Sequence, residues 1–100
     1  MDIRVLKYFV TIVKSGSFNK ASANLFITQP TLSRQIQALE EDLHIQLLDR
    51  SQKGIKLTTK GELFYERALE ILDQIDKLSL EMTQNKELQG VINIDRKSVV

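Results

Sequence analysis

Between Thr28 and Gln37 the chain spaces polar side chains as one face of a helix would. Pro30, Ser33, Arg34 and Gln37 fall at i, i+3, i+4 and i+7. A guanidinium, a primary amide and a hydroxyl donate and accept hydrogen bonds, and none stands beside a general base. The chemistry they suit is recognition of a polar ligand. Arg34 can make a bidentate pair with guanine or clamp a phosphate, and the sequence leaves both open. Gln29, near the helix start, reaches a base edge or a phosphate, and the amides of a first helical turn also favour an anion there. A solvated helix face would share this composition. The elements that hold the strip must decide between the two.

Those elements predict a small helical core. A first helix over residues 3–14 is apolar on two sides: Leu6, Phe9, Val10 and Val13 make one face, and Val5, Tyr8 and Ile12 another. Ser15 and Gly16 end it. A second helix begins at Ser17, a good N-cap, and buries Phe18, Ala21, Ser22 and Leu25. Its small residues allow another helix to come close. The turn is Phe26-Ile27. Thr28 then caps a third helix, with Pro30 in the first turn, where a missing N–H costs nothing. Leu32, Ile36, Leu39 and Leu43 are its buried stripe, which turns the polar strip outward. Two helices joined by a tight turn, the second with an uncluttered polar face, form a unit able to lay a helix in the DNA major groove. Glu40, Glu41 and Asp42 oppose the helix dipole and would repel DNA, so that end is expected to point away from the groove.

Two short antiparallel strands are expected next, over residues 45–48 and 55–58. Ile55 and Leu57 alternate with Lys56 and Thr58. A polar turn with Gly54 and Lys53 at its tip completes a wing. The last helix is expected over residues 59–88, with Thr59 and Glu62 as a capping box or a start one residue earlier. Phe64, Ala68, Ile71, Ile75, Leu78 and Met82 are spaced 4, 3, 4, 3, 4 along it, a heptad seam. So long an apolar seam asks for a second chain; an intrachain core is the alternative. Gln89-Gly90 would end the helix, and residues 91–94 alternate as a strand start.

One hundred residues make one small domain, or one domain plus an appendage. Residues 1–60 carry nine Lys/Arg and five Asp/Glu, a net of +4. Residues 61–100 carry five and eight, a net of −3. A basic front half suits a polyanion. The absence of cysteine and the single histidine, His44, speak against a disulfide framework or a zinc site. No apolar run is long enough to span a bilayer, and the N-terminus reads as a helix, not a signal peptide. A phosphate loop, a paired-carboxylate pattern and a nucleophile–base motif are all missing, so no enzyme and no cofactor are expected. A cytoplasmic, nucleoid-associated protein is.

The chain resembles the N-terminal DNA-binding domain of the LysR-type transcriptional regulators. The resemblance covers about residues 1–88. It rests on Leu6 to Phe9 (LKYF), Gly16-Ser17-Phe18, Ala21, Leu25, the run QPTLSRQI from Gln29, Leu39-Glu40, LLDR from Leu47, Leu57-Thr58 and Gly61. It implies a mainly α protein: a winged helix-turn-helix of three helices and a two-stranded wing (residues 1–58), then a long dimerisation helix (residues 59–88). Residues 89–100 would be the cut-short start of an effector-binding domain, or an appended tail. The resemblance implies contact with double-stranded, partly palindromic DNA through Thr28, Gln29, Pro30, Thr31, Ser33, Arg34, Gln37 and, at the wing, Lys53. It implies a homodimer, a tetramer when full length, and a small-molecule effector bound only in the C-terminal domain. Leu48 stands where the family usually has Phe, His44 where Gly often closes the third helix, and Phe26 where a polar residue is more common. Phe26 is expected either to stand exposed or to pack on the next helix. The rival from another class is a coiled-coil assembly or protein-binding module, which a salt titration would separate from a DNA binder.

Overall fold

Helix α1 (Ile3–Ser15) starts at Asp2, whose carboxylate accepts from the Val5 amide at 3.0 Å. It stops at Gly16, where φ is +80°. Val5, Leu6, Phe9, Val10 and Ile12 are buried on its two apolar sides, as their spacing predicts. Helix α2 (Phe18–Leu25) is capped by the Ser17 hydroxyl, which accepts from the Lys20 amide at 3.0 Å. Helix α3 (Gln29–Leu43) is capped by the Thr28 hydroxyl, which accepts from the Thr31 amide. Its inward stripe is as expected: Leu32, Ile36 and Leu39 are buried and Leu43 half-buried.

The ends of α2 and α3 share one geometry. Phe26 and His44 both occupy the left-handed region, at φ +59° and +57°. The amide after each, from Ile27 or Ile45, returns to a carbonyl of the last turn, Ser22 or Glu40. This is the Schellman pattern, usually closed by glycine. His44 thus takes the cap that its place in the sequence asked for.

A computed structural model describes the backbone at residues 1–51 and 53–92, and side-chain surroundings through Thr83. The chain divides into two units, Met1–Glu70 and Ile71–Val100. The first is built round Val5, Phe9, Ile12, Ala21, Leu32, Ile36, Leu39, Leu47 and Leu48. Helix α4 (Thr59–Ile92) begins in the first unit and supplies most of what is described of the second. The protein is mainly helical.

Three expectations need correction. The wing strands reduce to one antiparallel bridge, Leu48 with Leu57, flanked by Asp49 N–H to Lys56 C=O at 2.7 Å and Thr58 N–H to Leu47 C=O at 3.0 Å. Glu40 holds the first limb on its other side: its carboxylate takes the Leu47 and Leu48 amides at 2.9 and 3.1 Å. Of the two starts expected for α4 the earlier is taken: Thr58 is the cap, and its hydroxyl accepts from the Gly61 amide at 2.9 Å. Glu62 therefore lies one residue past the capping-box position. The stop at Gly90 is not taken, since α4 continues to Ile92; one glycine in a helix costs only about 1 kcal/mol. Of the strand expected over residues 91–94, Val91 and Ile92 are helical. The remaining residues of that strand, and the tail to residue 100, lie outside the described residues.

Gly61 packs directly on the Leu47 backbone. A Cβ there would collide with the Leu47 carbonyl oxygen and sit 3.0 Å from its carbon. Nearby, Phe64 meets Phe9 edge-to-face, with centroids 5.2 Å apart. Together they fix the start of α4 against the core that carries α3.

Candidate nucleic-acid interface

The start of α3 is a built surface. The Thr28 hydroxyl donates to the Thr31 hydroxyl at 2.8 Å while accepting the Thr31 amide. Arg34 Nη2 reaches the same Thr31 oxygen at 3.5 Å, a long contact that orients the guanidinium rather than holding it. Thr28, Gln29, Pro30, Arg34 and Gln37 are exposed, and Thr31 and Ser33 half-exposed. The strip therefore lies outward, opposite Leu32, Ile36 and Leu39. Among the described residues Arg34 forms no ion pair, and none of them neutralises its charge. Pro30 has no N–H and the Thr31 amide is taken, which leaves the Gln29 amide as the first turn's outward donor.

Lys53 is exposed at the tip of the hairpin, beside Gly54 at φ +75°. It makes no hydrogen bond to the α3 strip. Thr28, Thr31 and Arg34 are joined by direct bonds; Lys53 reaches the surface on a separate element. The base of that turn is ordered by Asp49, which accepts from the Ser51 amide at 3.1 Å and the Ser51 hydroxyl at 2.6 Å. The Ser51 hydroxyl, and then its amide, hold the Asp49 carboxyl below its ordinary value.

Glu40 has a role that the sequence analysis did not assign. It is buried, and its second oxygen takes Arg50 Nη2 at 3.1 Å. One carboxylate thus ties α3 to the first limb of the hairpin. Its place four residues after Ile36, on the edge of the apolar stripe, was the available signal. Glu41 and Asp42 are exposed.

The sequence profile described as "Bacterial regulatory helix-turn-helix protein, lysR family" matches residues 3–62. The chain belongs to the LysR family. Among LysR-type relatives, the regulator BenM of Acinetobacter baylyi is 49% identical over 78 residues, which is 78% of this chain and 26% of BenM. The regulator YtlI of Bacillus subtilis is 44% identical over 95 residues, or 94% of this chain and 30% of YtlI. The chain thus spans well under half the length of these relatives. The solved structure of the BenM DNA-binding domain with catB site 1 DNA superposes with a TM-score of 0.78 at 48% identity, covering 84% of this chain and 93% of that one. The complex of the CbnR DNA-binding domain with DNA gives 0.76 at 40% identity, covering 83% and 95%.

The seam residues of this LysR-family chain separate into two groups. Phe64 is half-buried against Phe9, and Ala68 is only 1% exposed, so neither offers much surface to a partner. Ile71, Leu78 and Met82 stand exposed at 46%, 57% and 57%, with Ile75 half-buried. Helix α4 is not long and apolar enough to cross a membrane; nor is any other described helix.

Proposed function

We propose that this chain is the DNA-reading part of a transcriptional regulator, with α3 in the major groove and the hairpin tip on the minor groove or the backbone. The observation that carries this is the outward strip of Gln29, Pro30, Ser33, Arg34 and Gln37, whose Arg34 forms no ion pair among the described residues, while Leu32, Ile36 and Leu39 on the opposite face of the helix are buried. The likeness to domains solved with DNA supports it. Thr28 and Thr31 set the start of the helix, and Lys53 adds a phosphate or minor-groove contact. The chain works as a homodimer through Ile71, Ile75, Leu78 and Met82, or as a tetramer in the full-length protein. It carries no catalytic activity and acts in the cytoplasm, where the DNA is. A small-molecule effector would bind in a further domain.

Selection from random duplexes followed by fluorescence anisotropy tests the proposal. The selected site should be partly palindromic, with half-sites about one helical turn, or a multiple of it, apart. Affinity should fall steeply and linearly on a log–log salt plot. Absence of any selected sequence, with a flat salt response, would favour a protein-binding module instead.

A further inference from the structure

We propose that Phe26 is a specificity-determining residue, touching a thymine methyl group at the edge of the bases that α3 reads. This rests on the DNA-binding function proposed above. The ring is 94% exposed, more than any other large apolar side chain among the described residues. Its backbone sits in the left-handed region, at φ +59° and ψ +39°, where a bulky side chain is an outlier and Gly or Asn would be at ease. The chain thus places a phenyl group where both the backbone and water disfavour it. No packing within the first unit compensates, because its neighbours Leu25 and Ile27 are the ones that turn toward the core.

Position supplies the reason. Phe26 precedes the α3 cap, Thr28, by two trans peptides, so their Cα atoms are at most about 7.6 Å apart. Thr28, Gln29 and Pro30 are exposed beside it. A ring on that edge would enter the groove alongside the polar strip. The apolar atom that the major groove offers is the thymine C5 methyl. A phosphate contact would desolvate charge without returning a hydrogen bond. A lone ring among exposed polar neighbours, Asn24 and Thr28, is too small a patch for a protein partner.

The test uses the 100-residue chain and its selected duplex, with each thymine replaced in turn by deoxyuridine, which lacks the methyl. The wild type should lose about three- to fivefold in affinity at one thymine per half-site, the value of burying one methyl. Phe26→Asn should bind the unmodified duplex more weakly by a similar factor and be indifferent to uracil there. Its melting temperature should equal or exceed the wild type's, because Asn accepts the left-handed cap. Phe26→Gly, a second variant suited to that geometry, should behave the same way. A wild type indifferent to every uracil, or Asn and Gly variants that keep the same uracil sensitivity, would overturn the assignment while leaving α3 as the reader. If the wild type selects no duplex at all, the DNA-binding function and this inference fall together.

Discussion

Arg34 and Glu40 lie six residues apart on one helix and do opposite things. Arg34 is exposed, unpaired among the described residues, and touched only by the Thr31 hydroxyl. Removing it should leave the fold intact. Arg34→Ala should cost about 1–3 kcal/mol of binding if it makes a base contact, roughly five- to 150-fold in Kd, with an unchanged melting temperature. Anisotropy and thermal melting on the same sample check this. Normal binding by the folded variant would mean that α3 is not the reader. Glu40 is buried and holds two backbone amides. Glu40→Ala would orphan both, at about 1–3 kcal/mol each where water cannot re-enter. A destabilisation of about 2–6 kcal/mol should appear as a melting point lower by about 8 °C or more. Arg50→Ala, which removes only an exposed partner, should cost about 1 kcal/mol or less. Equal losses from the two variants would show that the ion pair, not the amide cap, is what Glu40 contributes.

At the scale of elements, the helices were legible because their signals are local. Ser17 and Thr28 announce helix starts, Gly16 announces a stop, and the stripe of Leu32, Ile36 and Leu39 fixes which way α3 faces. The hairpin was legible as an antiparallel pair closed by Gly54 but not in the extent of its pairing: one bridge forms, and no alternation within residues 45–48 shows that a carboxylate from α3 takes the Leu47 and Leu48 amides. The Thr58-Thr59 pair offered two equivalent caps, and only the Gly61 junction chooses between them. That junction predicts its own mutant. Gly61→Ala should gain about 1 kcal/mol from helix propensity, but its Cβ would strike the backbone of Leu47, which cannot swing aside as a side chain would. Overpacking of this kind costs about 1–3 kcal/mol or more, so the net change should be destabilising; a higher melting point would mean that the junction can open at little cost. The wing predicts a subtler effect. Lys53 is exposed on the hairpin tip, and Lys53→Ala should weaken binding to many sequences alike and make the salt slope shallower by about one unit. An unchanged slope would make Lys53 a solvated lysine.

Across the whole molecule, charge and apolar surface are divided along the chain. The net of +4 lies in residues 1–60 and the net of −3 in residues 61–100. The elements proposed to face DNA and the helix proposed to pair therefore carry opposite signs. Phe64 and Ala68 serve the chain's own first unit, so the proposed pairing rests on Ile71, Ile75, Leu78 and Met82, on the part of α4 where apolar side chains remain exposed. Burying each of these is worth about 1.5–3 kcal/mol. Placing a charge at two of them removes that gain and forces carboxylates into an apolar seam. Ile71→Glu with Ile75→Glu should therefore give monomers at micromolar concentration by light scattering. Helical content should stay near the wild type's, because Ile71 lies outside the first unit and is already exposed. The monomer keeps its α3 strip but loses the second, linked half-site contact, an avidity typically worth 10²–10⁴. Affinity for a two-half-site duplex should thus fall by about 100-fold or more, while affinity for an isolated half-site changes little. Dimers that persist in the doubly charged variant would move the interface off this seam, and an unchanged two-site affinity would show that each chain reads its half-site alone.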